Sequence, residues 1–233
     1  MLQKVAQPLF SVILPFYAQG DHVSEVIDDF RGKLDLLGDP YELIVVVNGV
    51  GSLSGEFDEK VLNQSPRIVE HSIKKAGWGR AVNWGIAHAN GDYICYTNSA
   101  RTNGAELVRL LRYAKVSHDA IVKATRIERG DWVRKWTSIF YNIVNRIVLK
   151  TPIWDVNATP KIIPRNILRT IPLHSLGDSI DAELMFKAFK RNVPIIEIPT
   201  RQTGRKSGKS TTNFKSAVMM FYGLLKIKME DRA

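Results

Sequence analysis

Phe10-Ser11-Val12-Ile13-Leu14-Pro15 and Tyr41-Glu42-Leu43-Ile44-Val45-Val46-Val47 are the two stretches that decide the fold class. Each is a short, β-branched, nearly unbroken apolar run closed by a turn former: Pro15 ends the first, and Asn48-Gly49 follows the second. That is the pattern of a strand buried on both faces. Between them Asp21 stands as a helix cap, Val23, Val26, Ile27, Phe30 and Leu34 recur at helical spacing, and Gly38 ends the run. Strand, helix and buried strand make a βαβ unit, which predicts a parallel sheet flanked by helices.

The alternation continues along the chain. Helices are predicted over 79–90, 105–116, 132–149 and 181–191, and strands over 92–97, 120–124 and 193–198. In the 132–149 helix Trp132, Trp136, Ile139, Ile143 and Ile147 fall near a 3.6-residue period. No repeat, low-complexity tract or linker interrupts the pattern, so one α/β domain is expected. In an open parallel sheet, ligands bind at the edge where the strands end. The loops expected there are 16–21, 48–54, 98–103 and the polar stretch after Ala124.

The totals narrow the chemistry. A chain of 233 residues is long enough for one α/β domain with a full core. Its single cysteine, Cys95, excludes an internal disulfide and a cysteine-based metal site and fits a reducing compartment. Lys and Arg total 33 against 23 Asp and Glu, a charge of +10 that favours anionic partners such as phosphates or an acidic membrane face. The N-terminus lacks the apolar run of a signal peptide, and no apolar run approaches the roughly 20 residues of a membrane span. The expected location is cytoplasmic, with peripheral contact to the inner face of a membrane as an option.

Several segments, in this order, resemble family 2 glycosyltransferases of the GT-A fold, and within them the dolichol-phosphate mannose synthase-like branch. Val12-Ile13-Leu14-Pro15-Phe16-Tyr17 is similar to the opening V-I-x-P-T-Y, with Ala18-Gln19 in place of Asn-Glu. Glu42 to Gly49 resembles E-I-I-V-V-D-D-G, Lys75 to Ala81 resembles K-G-x-G-x-A, and Gly91-Asp92-Tyr93-Ile94 matches G-D-Y-I. Glu197-Ile198-Pro199 and Arg205 to Ser210 resemble E-V-P and R-x-x-G-x-S. The resemblance implies a single GT-A (Rossmann-like) domain over 1–212, with a mainly parallel central sheet flanked by helices. Residues 213–233 would form a C-terminal amphipathic helix, resting on an anionic membrane or packed on protein.

The implied activity is transfer of a sugar from a nucleotide diphosphate to a polyprenyl phosphate or other glycan acceptor. A catalytically inactive homologue with a binding or regulatory role is the alternative. The resemblance puts Pro15, Phe16, Tyr17, Gln19, Asn48, Gly77, Trp78, Asn98, Ser99, Ala100, Arg205 and Lys209 at the nucleotide sugar. Phe16 or Tyr17 would border a base, unless Phe16 is a core aromatic. Gly77 and Gly79 would admit a ligand's close approach or simply shape a helix entry. Acceptor phosphate would be held by Arg126, Arg134 and Lys161, since guanidinium groups bind phosphate through paired hydrogen bonds. Asn98, Asp155 and Asp181 are the catalytic candidates, with capping or surface roles open for both aspartates.

One motif departs from the family. Its D-x-D triplet, which holds Mg²⁺ or Mn²⁺, is here Asn98-Ser99-Ala100 followed by Arg101. Two formal negative charges are gone, so no metal site is expected. Arg101, Arg205 or Lys209 would then neutralise the leaving diphosphate. Gly204 to Ser210 also looks like a P-loop, but it is one residue short and lies far from the first strand. Basic residues near 126–135 suggest nucleic acid, but no recognised module accompanies them, and nucleic acid is not an expected partner.

Overall fold

Alternation of apolar runs and helical stripes resolves into three layers in the computed structural model, which describes residues 7–17, 23–49, 68–73, 75–128, 132–201 and 214–230. The strands are β1 (Phe10–Phe16), β2 (Tyr41–Asn48), β3 (Ile68–Ile73), β4 (Tyr93–Tyr96), β5 (Ile121–Glu128), β6 (Lys161–Pro164) and β7 (Ile195–Arg201). The helices are α1 (Val23–Asp35), α2 (Trp78–His88), α3 (Gly104–Val116), α4 (Trp132–Leu149), α5 (Arg165–Thr170), α6 (Ile180–Lys190) and α7 (Phe214–Glu230). Among the described residues the sheet order is β3-β2-β1-β4-β6-β5-β7.

Strands β3, β2, β1 and β4 are mutually parallel, and β5 and β7 form a second parallel pair. Strand β6 runs antiparallel to both its neighbours, pairing Lys161 with Tyr96 on one side and with Lys123 on the other. The reversal puts the start of β6 at the edge where β1, β2, β4, β5 and β7 end. Sequence patterning did not foresee β3, β6 or α5. β7 is also shifted from the expected 193–198 and is only partly buried.

Each strand of the β1–β2 pair is buried along its whole length, as the unbroken apolar runs require. Phe10, Val12 and Leu14 face α1 and α3, whereas Ile13, Ile44 and Val46 face α2 and α6. Helix α1 buries Val23, Val26, Ile27, Phe30 and Leu34, the stripe read from the sequence. Helix α3 starts at Asn103, whose side chain accepts the Glu106 N–H at 2.8 Å. At the opposite edge of the sheet Glu42 is buried, accepting from the Ser11 hydroxyl and the Asn90 N–H, each at 2.6 Å. That bond network is a staple between strand beginnings, remote from the ligand edge.

Helix α4 turns its stripe the wrong way for a core helix. Trp136, Phe140, Ile143 and Ile147 are exposed, while Asn142, Asn145 and Leu149 are buried. The spacing read at Trp136, Ile143 and Ile147 therefore marks an exposed row, while Tyr141, Val144, Val148 and Leu149 pack against the core.

Candidate functional site

The ends of the parallel strands bring Tyr17, Asn48, Asn98 and Arg126 to one edge, with the α2 start and the 150–160 segment beside them. The register that pairs Phe16 with Val47 and Arg126 with Thr200 fixes this alignment. Phe16 itself lies wholly in the core, so it does not reach a ligand; strand alternation turns it inward and Tyr17 outward, 39% exposed. Pro15 is buried too, and its carbonyl accepts the Ser99 hydroxyl at 2.9 Å.

Asn48 and Gly77 are bound to one another: the Gly77 N–H donates to Asn48 Oδ1 at 2.8 Å. That amide oxygen closes the β2 end onto the α2 entry instead of facing a base. A side chain at Gly77 would come within 2.6 Å of the Leu176 carbonyl oxygen, and one at Gly79 within 2.4 Å of the Ser175 oxygen. The close approach these glycines permit is to the chain's own 175–177 backbone, and the Leu176 oxygen accepts the Arg80 N–H at 3.1 Å.

The triplet Asn98-Ser99-Ala100 folds as a turn. Asn98 Oδ1 accepts the Ala100 N–H at 3.1 Å, and its backbone oxygen accepts from Arg101 and Thr102 at 3.0 Å each. Ser99 and Ala100 are buried, leaving only Asn98 partly exposed.

Beneath this edge lies a layer of paired charges. Asp181 accepts from Trp78 Nε1 at 3.0 Å, from the Tyr96 hydroxyl at 2.8 Å and from Lys161 Nζ. Lys161 is fully buried over the Tyr96 ring, 5.4 Å from its centroid, so it does not stand at the surface for an acceptor phosphate. Burial pushes its ammonium down, and Asp181 opposes that shift. Burial and the Asp181 charge raise the Tyr96 phenol well above its usual range. Trp78, Tyr96 and Lys161 thus take three of the roughly four lone-pair directions of the Asp181 carboxylate.

Asp155 is equally occupied. It sits at φ 44°, fully buried, and takes a forked contact from Arg126: Nε donates at 2.8 Å, Nη2 bonds the second oxygen, and the Arg126 N–H adds a bond at 2.9 Å. Such a fork fixes the plane of the guanidinium. Arg126 keeps 20% of its side chain exposed and also reaches Ser138 of α4 at 3.3 Å. Lys123 lies behind it, fully buried, donating to the Trp154 carbonyl at 2.9 Å and the Thr125 hydroxyl at 3.1 Å, with Glu197 at 3.5 Å. Burial lowers its pKa to about 8 against the pull of Glu197. Lys123, Arg126 and Lys161 thus face Asp155, Asp181 and Glu197, and the layer is electrically balanced.

Two carboxylates near α6 complete the edge. Glu183 accepts the His174 N–H at 2.9 Å, the Ser175 N–H at 2.7 Å and Lys187 Nζ at 2.5 Å. Burial alone would raise its pKa, but these donors bring it below the usual range. Asp178, which sequence reasoning missed, makes no hydrogen bond or ion pair to a described residue. Burial and then Asp181 raise its pKa. Only its position three residues before Asp181, in a turn, hinted at it. Gln19, Arg205 and Lys209 lie outside the described residues, as do the P-loop-like 204–210 stretch and the side chain of Arg134.

The sequence profile of glycosyl transferase family 2 matches residues 11–171, more than half of the chain. The chain belongs to glycosyl transferase family 2. It is 24% identical over 221 residues to the undecaprenyl-phosphate 4-deoxy-4-formamido-L-arabinose transferase of Enterobacter sp. (strain 638), and 22% identical to that of Edwardsiella ictaluri (strain 93-146). In both matches 92% of this chain covers 66% of the relative, so it spans just under two thirds of their length.

Solved structures with the same fold include glucosyl-3-phosphoglycerate synthase from Mycobacterium tuberculosis, crystallised with Mn²⁺, uridine diphosphate and glucosyl-3-phosphoglycerate. It gives a TM-score of 0.68 at 19% identity, covering 95% of this chain and 80% of that one. A mycobacterial protein gives 0.73 at 16% identity over 97% and 75%. The α/β architecture of a GT-A domain is thereby shown.

A divalent cation of the kind bound by that synthase does not fit the corresponding turn here. Asn98 Oδ1 is used by a backbone N–H, Ser99 Oγ donates to Pro15, and Ala100 has no ligand atom. Hard cations take several oxygen ligands, preferably carboxylates. Among the described residues no group of three His, Cys, Asp or Glu is placed to hold a metal.

Proposed function

We propose that this chain transfers a sugar from a nucleotide diphosphate to a polyprenyl phosphate by direct displacement at the anomeric carbon. The observation that carries this reading is that Asp181 is held by buried Lys161 and Asp155 by Arg126, whose guanidinium stays partly exposed at the edge. An edge organised in this way suits an acceptor that arrives already ionised, because a phosphate oxygen needs little help from a base. Its oxygen forms the new bond to the anomeric carbon as the bond to the diphosphate breaks, and the electron pair leaves with the diphosphate. Arg126 binds and orients the acceptor phosphate, with Asp155 fixing the guanidinium plane. Tyr17 and Asn98 border the nucleotide sugar, and Arg101, Arg205 and Lys209 neutralise the leaving diphosphate in place of a cation. Undecaprenyl phosphate in the names of the curated relatives supports the acceptor class.

A second reading rests on Asp178, whose raised pKa and lack of a hydrogen-bond or ion-pair partner among the described residues suit a general base for a hydroxyl acceptor. One assay separates the two. Nucleotide sugars are offered with a polyprenyl phosphate or with the matching polyprenol, each with and without chelator. Transfer to the phosphate alone, surviving the chelator, is expected. Transfer to the alcohol that Asp178→Asn abolishes would establish the second reading, and transfer that needs added Mn²⁺ would overturn the charge-neutralisation scheme.

A further inference from the structure

Helices α4 and α7 lie against one another and present matched apolar rows to the outside. On α4 the row is Phe140, Ile143 and Ile147, which are 69%, 45% and 70% exposed. On α7 it is Tyr222, Leu225 and Met229, at 65%, 39% and 71%. Both rows follow the same i, i+3, i+7 spacing, which keeps a stripe on one side of a helix. The inward side of α4 packs Tyr141, Val144, Val148 and Leu149 against the core and adds polar contacts at the acceptor edge: Ser138 meets Arg126, and Asn142 accepts the Val156 N–H at 3.0 Å. The helix thus meets the acceptor edge through Ser138 and Asn142, while a second apolar row, beyond the one packed on the core, stays exposed.

Basic groups flank the rows. Arg146 and Lys150 each follow an apolar residue of the α4 row by three positions and are exposed. Lys226, 66% exposed and 3.6 Å from Glu230, sits between Leu225 and Met229. The whole chain carries +10. An apolar strip rimmed by cations matches the chemistry of an anionic bilayer surface: acyl chains for the strip, lipid headgroup charge for the rim. A second copy would instead set the same cations against each other. No helix among the described residues is long and apolar enough to cross a membrane, so such contact is in the plane of the surface.

We propose that the paired α4–α7 face is a docking surface for anionic lipid bilayers, with α4 lying in the interface and its Ser138 turned to Arg126. Docking stands on the surface alone; delivery of a lipid-borne acceptor to Arg126 rests on the reading proposed above. The test is co-sedimentation of the full chain with phosphatidylcholine vesicles that contain or lack phosphatidylglycerol, at low and high salt. Phe140→Ser with Ile143→Ser is the variant, and circular dichroism reports its fold.

The unaltered chain is expected to sediment with the anionic vesicles, less so at high salt. The double variant should bind at least about tenfold more weakly, since each side chain gives up apolar burial. Absence of binding to anionic vesicles, or undiminished binding by the folded variant, would overturn the proposal. So would a concentration-dependent dimer in sedimentation velocity that the same substitutions dissolve. Transfer to a short-chain, water-soluble polyprenyl phosphate, measured in parallel, keeps the two readings apart. Lost docking with intact transfer is the result expected of the variant; an unaltered chain that docks yet transfers nothing counts against the proposed reaction only.

Discussion

Helix α1 buries its apolar stripe, whereas α4 packs one apolar row on the core and leaves a second exposed. In α1, Val26, Ile27, Phe30 and Leu34 pack beneath β1 and β2, and the charged residues look outward. In α4 the outward residues are Phe140, Ile143 and Ile147, and the inward ones combine Asn142 and Asn145 with Tyr141, Val144, Val148 and Leu149. Periodicity reports that a helix has two unlike sides, and says nothing about which of them meets the protein. The environment decides. Helix α1 covers an apolar sheet face; α4 packs partly on the core and partly on a loop edge whose backbone N–H groups and charged side chains require polar partners.

The sharpest break of that contrast is a pair of phenylalanine truncations. Phe30→Ala should cost about 3–5 kcal/mol, as deletion of a fully buried ring does, with a matching fall in urea midpoint. If Phe30→Ala and Phe140→Ala proved equally costly, α4 would have to bury its outer apolar row after all. Next comes the charged layer on which the α4 side of the molecule rests. Lys161→Ala leaves Asp181 buried without its cation, and a loss of about 3–5 kcal/mol is expected by chemical denaturation. A Lys161→Met, Asp181→Leu double replacement should recover much of it, at the expense of the Trp78 and Tyr96 hydrogen bonds.

Lys123 gives a smaller effect that depends on pH. Its folded pKa of about 8 lies below the ordinary 10.5, so the folded state binds its proton less tightly than the unfolded chain does. Keeping the charge buried destabilises the fold fully below pH 8, and the penalty is relieved as pH rises from 8 toward 10.5. Over that window the unaltered protein should gain on the order of 1–3 kcal/mol relative to Lys123→Met, read as the difference between their urea midpoints. A constant difference across the window would mean that Lys123 titrates normally. Asn142→Ala, which strands the buried Val156 N–H, should cost about 1–3 kcal/mol. Phe140→Ala comes last, within about 0.5 kcal/mol of the unaltered protein, with vesicle binding and not stability as its readout.

These contrasts also mark where the sequence was legible. Strands β1, β2 and β4 are apolar enough on both faces to be read directly, and Asn103 announces α3 through its cap. Strand β6 was hidden because it has four residues, begins with a lysine and follows a proline. In β3, Glu70 and His71 interrupt the apolar pattern. The edge that gathers Tyr17, Asn48, Asn98 and Arg126 followed from parallel topology. What each side chain does there did not, because the partners are remote in sequence. Trp78 meets Asp181 across 103 positions, and Arg126 meets Asp155 across 29. A carboxylate in a family motif reads as catalytic until its cation is seen opposite it. Gly77 and Gly79 teach the same lesson, since the close neighbour they admit is the chain's own 175–177 segment.

The reversed strand β6 has a consequence for how such a protein can diversify. Every strand of β3-β2-β1-β4 enters from the far rim, so insertions that alter those entries leave the working rim untouched. Strand β6 enters from the working rim itself, and the connection that feeds it, residues 150–160, is laid across that rim with Asp155 in its middle. Lengthening or recomposing this one connection can therefore reshape the Asp155–Arg126 side of the rim while the β3-β2-β1-β4 half stays as it is. A single inverted strand makes the two halves separately adjustable.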